Sequence, residues 1–512
     1  MAENNKALTT KESVILLLSV GIVGFCTIIY ELLIGSVSSY FLGDSIKQFS
    51  IVIGLTMTAM GIGTLISRLI NKDLIYYFIL IEIILAVIGG LSVPILYYSY
   101  VVQEFYYFMM CILILAIGIL IGLEIPLLTR IMEKYYNLKD NISNVLSLDY
   151  LGAFVATLLF PFVLLPILGI FNTSIFAGFL NLLVGILNFY WFKDKITNKK
   201  GFKLKSLSVF ISILLVFFVL CSDYLMKNWE NTVFDDRVIF SKQTPYQKLV
   251  MTKNKEDIRL FIDGNVQFSS IDEHRYHELL VHIPMSLVKN REEVLILGGG
   301  DGLAAREILK YSDVKNITVV DLDKEMTDLA KNNRIFKDLN KDSFLNEKVH
   351  IYNEDAFKFI ENAKNFYDVI IIDLPDPNNS SLARLYSREF YKLVKSRLSK
   401  QGILVTQSTS PFFSPEAYWC IKETLKAADY NFVKPYHVYV PSFGDWGFML
   451  AGNIPYNIED IKLNVETKYL DDELVQKAFV IEKDIVKENI KPSKLDNPEI
   501  LNYYLKGWRY WN

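Results

Sequence analysis

Long apolar runs dominate residues 14–222, while from residue 227 onward polar and apolar positions mix as in a soluble protein. A membrane span needs roughly 20 apolar residues. Seven segments qualify, at about 14–36, 48–70, 74–98, 105–128, 148–170, 173–192 and 206–224. The first is too long for a cleavable signal peptide and has no small-residue cleavage site after it. Short breaks after the third and fifth segments predict tight antiparallel helix pairs. Beyond residue 245 the period changes. Residues 246–269 alternate polar and apolar, with turn signals at "NKED" and "DGN", and predict a small antiparallel β unit. "DEHRYHELLVHIPM" (272–285) predicts a helix. A strand–helix series follows, with strands at "VLILG", "NITVVDLD", "VHIYNED", "YDVIIIDLPDP" and "GILVTQS". Strands alternating with helices predict an open, mostly parallel α/β sheet.

The fold class expected is therefore a multi-span α-helical membrane domain, then a small antiparallel β unit, then an α/β Rossmann-like domain of the S-adenosylmethionine methyltransferase type. The boundaries expected are 1–226 for the membrane part, 227–285 for the β unit and its helix, 286–453 for the Rossmann-like domain and 454–512 for a C-terminal helical extension.

Lysine and arginine in short loops orient a membrane protein. Lys6, Lys11, Arg68, Lys72, Arg130, Lys134, Lys139, Lys193, Lys195, Lys199, Lys200, Lys203 and Lys205 occupy the N-terminal tail and the loops after even-numbered segments. The alternate loops hold Lys47 alone. The tail and even loops are then cytoplasmic, and after seven spans the C-terminal half lies outside. Glu31, Glu82 and Glu124 fall inside apolar runs, where a charge is costly. They read either as groups bonded to neighbours or as a path for a cation. The net charge of −3 gives no case for a nucleic-acid partner, and the four cysteines show neither a disulfide framework nor zinc spacing.

In an open α/β sheet, ligands bind beyond the carboxyl ends of the strands. Gly298, Gly299, Gly300, Asp301 and Gly302 follow the first strand of the series. Asp321 ends the second, about twenty residues on, where an acid takes ribose hydroxyls. Asp355 ends the third, where a carboxylate accepts from an adenine amine, and Asp373 and Asp376 end the fourth. Position 305 is Ala, so the spacing of a dinucleotide turn is incomplete, which favours an adenosyl ligand without pyrophosphate. Asp301 among the glycines would repel the carboxylate of S-adenosylmethionine. Decarboxylated S-adenosylmethionine lacks that group and is cationic at both sulfur and amine, so Asp301 would hold its ammonium in a charge-assisted pair.

These residues resemble the polyamine aminopropyltransferases, typified by spermidine synthase, and the membrane-fused prokaryotic members most. The likeness covers about 235–453, through "YQKLVM", "LFIDGNVQFSSIDEHRYHELLVH", "LILGGGDGLAAREILK", "DLPDP" and "PSFGDWGFMLA". The resemblance implies decarboxylated S-adenosylmethionine as co-substrate with no metal, a di- or polyamine acceptor and a homo-oligomer. It implies Gln247 near the nucleoside, and Tyr276 and His277 where cofactor and amine meet. Asp301 is implied at the aminopropyl group, Asp321 at the ribose and Asp355 near adenine. Asp373 is implied as the catalytic acid, Asp376 as the acid that grips the amine, and 374–386 as a lid. Two departures surround the amine pocket. Leu374 and Pro375 stand between the acids where small hydroxyl residues are common, and Val440 stands where many members have tyrosine. The function expected is a multi-pass aminopropyltransferase of the cell membrane that makes spermidine or a related polyamine. The alternatives are another S-adenosylmethionine-dependent transferase, or a polyamine transporter or sensor with a silent synthase-like domain. The cofactor is a cytosolic metabolite, so the expected chemistry and the loop charges pull the C-terminal half to opposite sides.

Overall fold

A computed structural model describes residues 10–42, 45–101, 105–133, 136–234, 236–509 and 511. Lys6 and Lys134, counted in the loop charges, lie outside the described residues. The chain divides into two compact units, Met1–Val238 and Ile239–Asn512.

The first unit is helical. Among the described residues, six continuous helical stretches are long and apolar enough to cross a membrane, at Lys11–Leu42, Ile46–Leu69, Leu74–Tyr100, Tyr106–Met132, Leu138–Lys195 and Asn198–Val233. This count is one fewer than the sequence segments because the fifth and sixth segments lie in one stretch of 58 residues. That stretch is broken at Gly169, whose φ of 71° and ψ of 172° are not helical. A Cβ-free residue adopts such a φ at no steric cost, so two shorter helices meet there. Large apolar side chains face outward along these helices, with Leu220 79% and Phe162 77% exposed. Pro126 lies inside the helix Tyr106–Met132 and has no N–H to give the carbonyl of Gly122. The Thr64 hydroxyl donates to that carbonyl instead, at 3.0 Å.

Of the three acids singled out inside apolar runs, Glu82 and Glu124 are fully buried. Glu82 accepts from the Asn181 amide at 2.8 Å, and the Asn181 carbonyl accepts from the Tyr30 hydroxyl at 2.6 Å. That polar string ties three helices together across an apolar interior.

In the second unit, β1 (Arg237–Gln243), β2 (Lys248–Asn254), β3 (Asp257–Ile262) and β4 (Asn265–Ser269) form a four-stranded sheet in sequence order. Pairing is antiparallel from β2 to β4. The helix Glu273–Leu287 follows. Then come β5 (Glu293–Gly298), β6 (Asn316–Val320), β7 (Val349–Tyr352), β8 (Tyr367–Asp373), β9 (Leu398–Gln407), β10 (Phe432–Val440) and β11 (Gly444–Gly452). These make one seven-stranded sheet in the order β10-β11-β9-β8-β5-β6-β7. β5 to β9 run parallel, and β10 and β11 add an antiparallel hairpin at one edge. β5 and β8 are central and read as unbroken apolar runs, "VLIL" and "VIII", because helices cover both faces. Val294, Ile296, Val369 and Ile371 enter one core and Leu295, Leu297, Ile370 and Ile372 the other. The strand order reverses between β5 and β8, so a crevice opens beyond their carboxyl ends.

The described residues of 454–512 hold two helices, Asp472–Ala478 and Glu499–Arg509, a short 3-10 turn and otherwise irregular chain. The extension is less helical than the sequence implies. Ile500 and Tyr504 pack into the core on the β8 and β9 side.

Candidate active site

β5 and β8 pair in parallel with Gly298 opposite Asp373, so the glycine turn and the strand-four acid meet by register alone. Gly299 N–H donates to the Asp373 carbonyl at 3.2 Å. A Cβ on Gly298 would lie 2.0 Å from that carbonyl oxygen, and one on Gly300 would lie 2.4 Å from Asp321 Oδ2. With φ of 90° at Gly298 as well, no other residue fits that position. The turn enters the helix Leu303–Ile308, and Asp301 Oδ1 accepts from Leu303 N–H at 2.9 Å.

The acids predicted from the strand ends converge. Asp301, Asp321, Asp373 and Asp376 are all half-buried beyond the strand ends. Burial pushes Asp373 up to about 6, despite the His277 charge and a Tyr276 hydrogen bond that pull it down. Asp376 also rises to about 6 by burial, against hydrogen bonds from Tyr504, Gln407 and Thr409. Asp321 rises to about 7, through burial and the nearby charges of Asp323 and Asp301. Asp301 rises too, mostly by burial. Four carboxyls that resist ionisation in one crevice are relieved by a cationic occupant.

One cation of the protein already faces them. Burial would lower the His277 pKa, but its hydrogen bond to Glu273 and the charges of Glu273, Asp301 and Asp373 raise it to about 9. Its Nδ1 lies 2.8 Å from Glu273 Oε2. Arg306 holds the same carboxylate from the other side at 2.9 and 3.0 Å. Glu273 falls to about 2: burial opposes its ionisation, but His277 and Arg306 outweigh it. Tyr276, next to His277, donates to Asp373 Oδ1 at 2.6 Å.

Two of the expected residues are engaged with the protein. Gln247 Nε2 donates to Asp323 Oδ2 at 2.9 Å, beside a Thr244 hydroxyl at 2.8 Å. Asp323 in turn caps the helix Lys324–Asn332. Asp355 caps the helix Ala356–Asn362 through Lys358 N–H and forms an ion pair with Arg384. Arg384 belongs to the 374–386 loop, so the expected lid is fastened to the expected adenine end. The same loop is stapled by the Tyr386 hydroxyl to the carbonyls of Leu374 and Pro375, at 3.2 and 3.0 Å.

Sequence reading missed the floor under Asp376. Gln407 Nε2 and Thr409 Oγ1 each reach its carboxylate at 3.3 Å. Thr409 has φ of 54°, a strained backbone for a β-branched residue, and is fully buried. "TQSTS" (406–410) carried a signal, since five polar residues at the end of a buried strand need partners. Tyr504 carried none.

A family model for the spermine/spermidine synthase domain matches residues 273–459. A polyamine aminopropyltransferase of Leptospira interrogans is 40% identical over 96% of this chain and 98% of its own length. One from Oceanobacillus iheyensis is 39% identical over 99% of both chains. The solved spermidine synthase from Thermotoga maritima aligns at a TM-score of 0.45 and 26% identity, over 48% of this chain and 86% of its own. Identity sustained along both units, joined to a crevice of converging acids, establishes that the chain belongs to the polyamine aminopropyltransferase family and is an enzyme of that class.

Proposed function

We propose that the chain transfers the aminopropyl group of decarboxylated S-adenosylmethionine to a di- or polyamine such as putrescine, releasing methylthioadenosine. The observation that carries this reading is the set of four carboxyls with raised pKa around one crevice, which suits a substrate pair that is cationic at sulfur and at every amine. Asp321 takes the ribose hydroxyls, with Gly298, Gly300 and Gly302 keeping the backbone clear for the nucleoside. Gln247 and Asp355 border it, Asp355 once Arg384 yields an oxygen. Asp301 holds the aminopropyl ammonium.

The acceptor amine enters between Asp373 and Asp376. Asp376 pairs with its distal ammonium and fixes its position. Asp373 accepts a proton from the attacking nitrogen, which frees the lone pair. That lone pair forms the new bond to the propyl carbon beside sulfur. The carbon–sulfur bond breaks, its electron pair goes to sulfur, and the sulfonium becomes a neutral thioether. Tyr276 and His277 line the meeting point, where the His277 charge favours the ionised form of Asp373. No Lewis acid enters this scheme, because the sulfonium is itself the activated leaving group.

We infer that the helical unit anchors the enzyme in the cell membrane as a multi-pass protein. Its apolar stretches and outward Leu220 and Phe162 support that reading. A reporter fused after residue 512 tests which side the catalytic unit faces.

Turnover tests the chemistry. Detergent-purified protein is given decarboxylated S-adenosylmethionine with putrescine, cadaverine, spermidine or diaminopropane, and methylthioadenosine is measured. Amine-dependent product that disappears in Asp373→Asn is expected. Cofactor binding without product from any amine would overturn the reading.

A further inference from the structure

A cavity separate from the crevice lies at the other edge of the catalytic unit's hairpin. It measures about 620 Å³, within the roughly 300–1,000 Å³ span of small-molecule sites. The edge strand β10 gives it His437, Val438 and Tyr439, and β11 gives Asp445. Leu279 of the helix Glu273–Leu287 forms part of the wall. Most of the remainder is chain between residues 469 and 485, beyond the matched domain, which ends at residue 459. None of Asp301, Asp321, Asp373 and Asp376 lines it.

The lining has two characters. Leu279, Leu470 and Ile485 are buried and present hydrocarbon. His437 organises the polar part. Its Nδ1 lies 2.7 Å from Asp445 Oδ1, and its Nε2 lies 2.9 Å from the Val480 carbonyl oxygen and 3.3 Å from Glu482 Oε2. The ring thus ties the C-terminal extension to the hairpin and keeps two carboxylates at the cavity. It engages one oxygen of each, and an ionised carboxylate accepts at both. Asp445 Oδ2 and Glu482 Oε1 are therefore left to receive a second donor. Asp484 brings a third carboxylate to the lining. The ammonium of Lys477, which also lines the cavity, is held by Glu473 at 2.6 Å. Even a charged His437 offsets only one of the three acids, so the lining is net negative. Tyr439 and Phe412 line it while 60% and 46% exposed, and their ring faces attract a cation.

These features select a ligand. A net negative lining repels an anion. The hydrocarbon wall does not suit a bare metal ion, and among the described residues no group of three metal-ligating side chains comes together. An alkyl chain that carries several ammonium groups matches both parts of the lining. We propose that this cavity is a second amine site, distinct from the crevice, and that it binds a linear polyamine with its methylenes on Leu279, Leu470 and Ile485 and its ammonium groups on Asp445, Glu482 and Asp484. Each ammonium–carboxylate contact is a charge-assisted hydrogen bond. The site uses none of the acids of the transfer scheme, so it stands or falls apart from that reading.

The test is equilibrium dialysis of labelled spermidine against the full chain in detergent. The parent is expected to bind two molecules per chain, one at each site. Asp484 is exposed, so Asp484→Lys reverses a charge at the cavity without touching the His437 bonds. It is expected to leave one bound molecule. Asp445→Asn is expected to weaken binding of the same molecule about tenfold. In both variants methylthioadenosine formation at low putrescine is expected to stay within about twofold of the parent. Asp376→Asn, at the crevice, is expected to keep the cavity molecule. Spermidine binding that is unchanged in Asp484→Lys overturns the proposal, and unimpaired turnover beside it leaves the transfer reading intact. A cavity molecule that magnesium displaces at equal concentration of charge marks a plain counterion surface and also overturns the proposal. A molecule lost in Asp484→Lys from a chain that turns over no amine supports the cavity site and overturns the transfer reading alone.

Discussion

The Tyr276 hydroxyl donates to Asp373 Oδ1 at 2.6 Å, and both groups stand at the mouth of the crevice beyond β8. The bond stabilises the ionised carboxylate, as does the His277 charge, while burial works against both and leaves Asp373 at about 6. A base must be ionised to accept a proton, so activity is expected to rise with pH through about 6. Tyr276→Phe removes one of the groups that lower this pKa. Its acid limb is expected to move to higher pH, with kcat/KM at pH 7 reduced about tenfold and restored in part at pH 8. An acid limb at the parental pH, with activity reduced equally at every pH, would show that Tyr276 acts by shape alone.

Asp321 illustrates the cost of such a site. Its folded pKa of about 7 exceeds the value near 4 of an unfolded aspartate. The folded state therefore binds more protons between those values, and the ligand-free enzyme loses stability as pH rises through that window. Asp321→Asn removes the titration. We expect a higher thermal midpoint than the parent at pH 8 without ligand, and affinity for methylthioadenosine reduced about a hundredfold. Gly300→Ala is expected to lose the same affinity, because its Cβ meets Asp321 Oδ2 at 2.4 Å. A scanning-calorimetry midpoint for Asp321→Asn that falls at pH 8 would contradict the assignment.

The Glu273–His277 pair contributes with opposite sign. His277 is raised to about 9, so its stabilisation is complete below the unfolded value near 6.5 and is lost as pH climbs through 9. Glu273 is lowered to about 2, so its share is present above the unfolded value near 4.3 and disappears only as pH falls toward 2. His277→Gln is expected to be less stable than the parent below about pH 6.5, with the deficit shrinking as pH rises through 9, measured by denaturant unfolding of the full chain. Because the imidazolium also lowers Asp373, the same variant is expected to shift the acid limb of turnover upward. A stability difference that persists unchanged above pH 10 would assign His277 a purely packing role.

Much of this site was legible because a parallel sheet places every strand end on one edge. Finding "LGGGDG", "VVDLD" and "IIIDLPDP" behind apolar runs is enough to bring Asp301, Asp321 and Asp373 together before any side chain is placed. Thr409 and Tyr504 were hidden for different reasons. Thr409 depends on a left-handed backbone turn that its own residue type disfavours. Tyr504 depends on where an 11-residue helix docks, more than a hundred residues after Asp376 in the chain. The partnership of Asp355 with Arg384 likewise joins a strand end to a loop whose path has no sequence signature. In the helical unit the apolar segments were plain, but hydropathy alone gave no sign that segments five and six belong to one helical stretch interrupted at Gly169.

The buried string of Tyr30, Asn181 and Glu82 allows a test within the helical unit alone. Asn181 is 1% exposed and uses both ends of its amide, giving a hydrogen to Glu82 at 2.8 Å and taking one from Tyr30 at 2.6 Å. Asn181→Leu keeps a side chain branched at Cγ and leaves two polar groups buried in an apolar interior. Each orphaned group costs about 1–3 kcal/mol, so a clear drop in the thermal midpoint in detergent is expected. Glu82→Gln keeps a carbonyl that the Asn181 amide can bond and removes the carboxyl, so it is expected to be neutral or mildly stabilising. A structural tether predicts this asymmetry between the two variants. If Glu82→Gln destabilised the unit as much as Asn181→Leu does, the carboxyl itself would be required, and the string would have to be read as a site for a cation.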